Sequence, residues 1–332
     1  MMDSISSIQK FAKLVEEKDD LYFYCVDPGA YNVMSILTDN LPGKNIHWVA
    51  EGWCAGQLAK LNEKYIGLED FLETIRLKKD ITVVLGSQTT FSKTTGLLTE
   101  LEKLKIYSVF LFDHWVNYSK HFYDSAAKRF CFPDVICVMD ESSKNALIGE
   151  LKEISPNLDM SLFIVEIYGH PKIENAALII NSFPVGQKEI LRNKYNITDK
   201  NIHLFLLEPI TTDHGLEDSI PKLGYNEYTI LDHYFRNYVT EDTFTIIKPH
   251  PRQNIQALEA FLKNASFSSP YKIVADEGLE ELIFMADTVF GMTTVALILA
   301  HFAGKAIVSL QIGRTDFARS LSSEYLENYL RT

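Results

Sequence analysis

The chain has 332 residues, 46% of them hydrophobic, which is enough for two ordinary domains with a core each. Its net charge of −12 argues against broad binding to a nucleic-acid backbone, because that affinity comes from clustered Lys and Arg. The start, Met1-Met2-Asp3-Ser4-Ile5, lacks a basic region followed by an apolar core, and no apolar run reaches the length of a membrane span, so the chain reads as cytoplasmic.

In chain order, strand-like apolar runs fall at 21–26, 46–49, 81–85, 106–112, 135–139 and 162–167, with helical stretches between them. That alternation predicts parallel βαβ units. A second series follows at 203–207, 244–247, 272–274, 288–290 and 306–310. The break Tyr168-Gly169-His170-Pro171-Lys172 lies between the two series and marks the hinge, with Pro184-Val185-Gly186 as the later alternative. The fold class is therefore α/β, with an N-terminal Rossmann-like domain over 1–170 and a second over 171–314. A helical stretch over 315–332 is expected to cross back onto the first domain. The cysteines Cys25, Cys54, Cys131 and Cys137 are widely spaced, and three of them sit in or beside apolar runs, so they read as reduced core residues.

In open α/β sheets, ligands bind beyond the carboxyl ends of the strands, so the loops there carry the candidates. Asp27-Pro28-Gly29 follows the first strand, where Asp27 is either a general base or a turn and helix cap. Gly86-Ser87-Gln88-Thr89-Thr90 offers amides and hydroxyls for a sugar or phosphate, or else is an ordinary polar loop with an N-cap. Asp113-His114-Trp115-Val116-Asn117-Tyr118 delivers acid, imidazole and aromatic groups within six positions. Asp113 there can orient His114 as an acid or base, while the bland alternative is a loop that buries its rings. Glu208-Pro209-Ile210-Thr211 ends the first strand of the second series, and Glu208 is a candidate donor contact or part of a solvated loop.

The densest group is Lys248-Pro249-His250-Pro251-Arg252 at the end of a β-branched run. Lys248, His250 and Arg252 alternate along an extended turn and are expected to present three donors on one side to a phosphate. Surface charge on a rigid turn is the plain alternative. Forty residues on, Gly291-Met292-Thr293-Thr294 opens an apolar helix with free amides and two hydroxyls, a second anion-compatible turn. No Asp-x-Asp metal pair stands at a strand end, and neither a metal nor a cofactor is expected.

The second half resembles the nucleotide-binding domain of GT-B glycosyltransferases. Lys248-Pro249-His250-Pro251 resembles the His-Pro motif of bacterial sialyltransferases and related capsule enzymes, whose histidine contacts the donor phosphate. Gly291-Met292-Thr293-Thr294 with Ala303-Gly304-Lys305 resembles the turn, helix and glycine that close such a domain. Gly169-His170-Pro171 is similar to a Gly-Asn-Pro element near the interdomain crossing of several GT-B and sugar-nucleotide epimerase proteins. The resemblance implies two Rossmann-like domains facing across a cleft and a metal-independent transfer of a sugar from a nucleotide donor to a glycan or glycoconjugate acceptor. A CMP-linked nonulosonate or Kdo-type sugar is the donor it favours, in bacterial surface-polysaccharide synthesis, with peripheral membrane association compatible.

Asp27, Asp113, His114 and His250 are then the catalytic candidates. Glu208, Lys248, His250, Arg252, Gly291, Met292, Thr293 and Thr294 are the donor-binding ones. Two departures keep the donor open: Val295-Ala296-Leu297-Ile298-Leu299-Ala300 carries no ribose-binding glutamate, and the acidic Asp276-Glu277-Gly278 follows the His-Pro stretch instead of preceding it. A UDP-sugar epimerase or hydrolase and a non-catalytic nucleotide-sugar-binding module remain the alternatives.

Overall fold

The computed structural model of the chain describes residues 6–198, 200–217 and 220–315. It divides after Lys172 into two compact units. The helix expected over 315–332 lies, apart from Thr315, outside the described residues.

The first unit runs α1 (Ser7–Leu14), β1 (Asp20–Cys25), α2 (Pro28–Thr38), β2 (Asn45–Ala50), α3 (Gly52–Lys60), β3 (Tyr65–Ile66), α4 (Leu68–Leu77), β4 (Thr82–Gly86), α5 (Phe91–Leu104), β5 (Tyr107–Leu111), β6 (Tyr123–Asp124), β7 (Arg129–Phe130), β8 (Val135–Val138), α6 (Glu141–Ile154) and β9 (Ile164–Ile167). Seven of the strands form one parallel sheet in the order β3-β2-β1-β4-β5-β8-β9. The central strands are buried on both faces, which is why they read as unbroken apolar runs such as Leu21-Tyr22-Phe23-Tyr24-Cys25. Helix α2 lays Ala30, Val33, Met34 and Leu37 into the core beside Phe23, Val84 and Val109. Its first residue, Pro28, has no N–H to leave unpaired, so proline suits this end of the helix. All four cysteines are free and buried. The two-residue edge strand β3 and the β6–β7 hairpin are additions to the expected elements, each too short to leave a periodic signal.

The second unit takes most of α7 (Pro171–Ser182), then α8 (Val185–Tyr195), β10 (Asn201–Leu207), α9 (Ile210–His214), β11 (Leu216–Glu217), β12 (Ile220–Pro221), α10 (Glu227–Asn237), β13 (Thr243–Pro249), α11 (Ile255–Ala265), β14 (Tyr271–Ile273), α12 (Leu279–Met285), β15 (Thr288–Gly291), α13 (Val295–Phe302) and β16 (Ala306–Ser309). Its parallel sheet has the order β14-β13-β10-β15-β16, and β11 and β12 form a small antiparallel pair. Phe205, Leu207, Ile247 and Phe290 from the sheet pack with Leu231, Tyr234 and Leu258 from the helices.

Each sheet reverses its strand order once, between β1 and β4 in the first unit and between β10 and β15 in the second. At such a reversal the outgoing connections leave in opposite directions and open a crevice at the carboxyl ends of the strands.

Candidate functional site

In the first unit, the loops after β1, β4 and β5 meet at the reversal through side chains. The Thr89 amide donates to Asp27 Oδ2 at 2.7 Å, tying the β4 loop to the tip of β1. Asp113, at the end of β5, accepts at Oδ1 from the Ser87 hydroxyl and, at 2.7 Å, from His114 Nδ1–H. Burial opposes ionisation of Asp113, but the hydrogen bond and charge of His114 and the Ser87 hydroxyl outweigh it and hold the carboxyl below its usual range. An ionised carboxylate only accepts, so Nδ1 carries a proton, and Nε2 is the nitrogen that gains or releases one.

A second layer holds this dyad. His170 donates from Nε2 to the Asp113 carbonyl at 3.2 Å, and its ring stacks on Trp115 with centroids 5.5 Å apart and planes 17° off parallel. Trp115 Nε1 donates to Asp140 Oδ2 at 2.8 Å, while Asp140 Oδ1 caps α6 by accepting from the Ser143 amide. On the other side of Asp113, Gly29 leaves no room for a side chain, since a Cβ there would overlap Asp113 Oδ2. Ser87, Gly29 and His170 thus support the dyad, although their loops read in the sequence as a polar turn, a turn glycine and a hinge. His121 lies beneath, fully buried among Phe91, Phe110, Phe112 and Phe122, with neither ring nitrogen hydrogen-bonded.

In the second unit, the reversal brings the loop after β10 against the turn after β15. Glu208 Oε2 accepts from the Thr293 amide at 2.7 Å and the Met292 amide at 3.2 Å, and Oε1 accepts from the Thr293 hydroxyl at 2.7 Å. Burial pushes the Glu208 carboxyl above its ordinary value, opposed by the Thr293 hydroxyl and by the amides of Thr293, Met292 and Thr294. Thr294 then caps α13 by accepting from the Ala296 amide. The amides and hydroxyl of the Gly291–Thr294 turn, expected from the sequence to face a donor phosphate, hold the Glu208 carboxyl of the same chain.

The His-Pro stretch ends β13, the strand on the other side of β10. The His250 amide donates to the Leu207 carbonyl at 3.1 Å, extending the ladder, and Nδ1 accepts from the Arg252 amide at 3.2 Å. Accepting at Nδ1 puts the proton of the neutral ring on Nε2, so His250 presents an N–H donor. Burial, with the charge of Arg252, lowers the His250 pKa and favours that neutral form, against a smaller pull from Asp213.

The three donors do not share one side. Lys248 Nζ donates to the Ala275 and Glu277 carbonyls in the loop after β14. Arg252 forms a two-pronged ion pair with Asp213 of α9, which follows β10. The two cations thus turn to opposite neighbours of β13 and leave the imidazole between them. Among the described residues, no group of three or more His, Cys, Asp or Glu side chains is arranged to hold a metal, and no helix is long and apolar enough to cross a membrane.

No family model and no curated protein matches the chain. Solved structures do match. The chain is similar to a glycosyltransferase from Rickettsia africae ESF-5, 10% identical over 95% of this chain and 88% of that one, with a TM-score of 0.59. It is similar to MurG of Acinetobacter baumannii, 12% identical over 94% and 84% of the two chains, with a TM-score of 0.54. A UDP-GlcNAc 2-epimerase from Methanocaldococcus jannaschii matches at 13% identity over 94% and 92%, also at 0.54. Two parallel sheets with one strand-order reversal each, matched along nearly the whole chain, give this protein the two-domain GT-B fold.

Proposed function

We propose that this protein is a metal-independent glycosyltransferase that moves a sugar from a nucleotide donor to a glycan or glycoconjugate acceptor. The observation that carries the reading is the Gly291–Thr294 turn, whose amides and Thr293 hydroxyl already converge on an anion next to the strand that ends in His250. A donor phosphate needs that set of groups. Preorganised amides and a neutral imidazole N–H stabilise charge as it develops on the departing phosphate. Lys248 and Arg252, held by carbonyls and by Asp213, add positive potential around the site.

The acceptor belongs with the first unit. His114 Nε2 takes the proton of the acceptor hydroxyl while the new bond forms between that oxygen and the anomeric carbon. The bond from anomeric carbon to phosphate oxygen breaks, and the nucleotide leaves with the electron pair. Asp113 fixes the imidazole and stabilises its protonated form. Asp27, occupied by the Thr89 amide, is a loop tie in this scheme. A CMP-linked nonulosonate or Kdo-type donor is the class favoured by the His-Pro stretch, with bacterial surface-polysaccharide synthesis on the cytoplasmic side as the setting.

The test is incubation with CMP- and UDP-sugars, with and without glycan acceptors, followed by mass analysis. A sugar-transfer product supports the reading, whereas an isomerised UDP-sugar formed without acceptor identifies an epimerase. With a transfer assay in hand, His114→Ala and His250→Ala are each expected to lower turnover about a hundredfold or more with little change in melting temperature. Near wild-type turnover in either variant removes that residue from its role.

A further inference from the structure

One short segment supplies both anions found at the second unit's phosphate-compatible groups. Glu208 fills the Met292–Thr293 amides, and Asp213, five residues on, pairs with both terminal nitrogens of Arg252. The segment between them is anchored independently. Pro209 precedes α9, and both the Thr211 amide and hydroxyl donate at 2.9 Å to Glu227, a carboxylate buried at the start of α10. The two carboxylates therefore need not hold the segment down by themselves.

We infer that the 208–215 segment is an internal anion mimic. In the unliganded protein, Glu208 and Asp213 occupy the groups that a nucleotide phosphate takes, and binding exchanges carboxylate for phosphate. The inference rests on the donor-phosphate site proposed above and adds to it a self-competing occupant. Glu208, expected from the sequence as a donor contact, is on this reading the donor's competitor.

The chemistry favours exchange. The phosphomonoester of CMP and the diphosphate of UDP carry more charge and more acceptor oxygens than a carboxylate, so they gain more from the same amides. Glu208 is also a poor permanent occupant, because burial raises its pKa and so disfavours the charged form that the amides hold. The exchange enlarges the penalty for weak anions, so the site discriminates a nucleotide from the carboxylates and inorganic anions around it.

The deciding experiment is calorimetric titration of CMP and, separately, UDP into the full chain, its Glu208→Gln, Glu208→Ala and Asp213→Asn variants, with unfolding temperatures recorded for each. Loss of the competing charge is expected to tighten binding of the preferred nucleotide by about tenfold or more for the Glu208 variants. Asp213→Asn is expected to tighten it less, because Arg252 is largely exposed and its ion pair is screened. A clamp that merely joins β10 to β15 predicts the opposite sign, with weaker binding and a lower melting temperature together. Unchanged or weaker binding in both Glu208 variants, while wild type binds, overturns the mimic and leaves the donor site standing. Failure of every protein to bind either nucleotide overturns the donor site and the mimic with it.

Discussion

His121 shows what a buried titratable group does when nothing pairs with it. Its imidazole is fully buried inside a cage of phenylalanines, and burial, with a smaller push from His114 and an opposing pull from Asp113, lowers its pKa to about 3. In the unfolded chain the same ring titrates near 6.5. Between these values the unfolded state binds a proton that the folded state refuses, so stability is intact above pH 6.5 and falls as pH drops toward 3. Phenylalanine has nearly the shape of the ring and no nitrogen to leave unpaired. His121→Phe is therefore expected to stabilise the protein by about 1 kcal/mol at pH 8, by removing the unpaired polar atoms. The gain is expected to widen at pH 5, where melting curves of variant and wild type should diverge. Parallel pH profiles would show that the imidazole is paired in solution. The sequence singles out His114 by the Asp113 beside it, but it does not mark His121 as an unpaired ring, because that follows from the phenylalanines that surround it after folding.

At the scale of elements, the candidate site is made by strand ends, and strand ends are the part of the molecule most legible in a sequence. The apolar runs before Asp27, Asp113, Glu208, His250 and Gly291 are strands, and each named residue lies at a carboxyl end or just beyond it. Run length and β-branching sufficed for that, because these central strands are buried on two faces. Which loops meet was not legible, since it follows from the reversals between β1 and β4 and between β10 and β15, and no local pattern encodes strand order. Side-chain direction was also hidden. Alternation placed Lys248 and Arg252 on one side, but the carbonyls after β14 and the carboxylate of Asp213 draw them apart. The approach of α2 to β5 can be tested directly. Gly29→Ala puts a methyl group where Asp113 Oδ2 sits, and Asp113 is pinned by Ser87 and His114. The expected result is a displaced carboxylate, loss of the Nδ1–H preference of His114 in nitrogen NMR, and turnover reduced as in Asp113→Ala. A variant that keeps both the tautomer and the turnover would show that Asp113 moves without consequence.

For the whole molecule, the division after Lys172 separates two sheets with separate cores, and the proposed chemistry separates likewise, with donor groups in one unit and the acceptor base in the other. Chance supplies a reporter for this division. Trp48, Trp53 and Trp115 are the only three tryptophans, and all belong to the first unit. Indole fluorescence therefore follows unfolding of the first unit, while far-UV circular dichroism follows both. A ligand that binds only the folded second unit stabilises it by RT ln(1 + [L]/Kd), about 2.7 kcal/mol at a hundredfold excess over Kd. CMP, or UDP if that is the nucleotide bound, is thus expected to move the dichroism transition of the second unit upward by several degrees while the tryptophan transition stays in place. Thermal melts followed by the two signals on one sample provide the measurement. A tryptophan transition that shifts as far as the dichroism would sink the assignment of the nucleotide to the second unit alone. It would place nucleotide contacts, or a binding-dependent coupling, in the unit that holds Asp113 and His114.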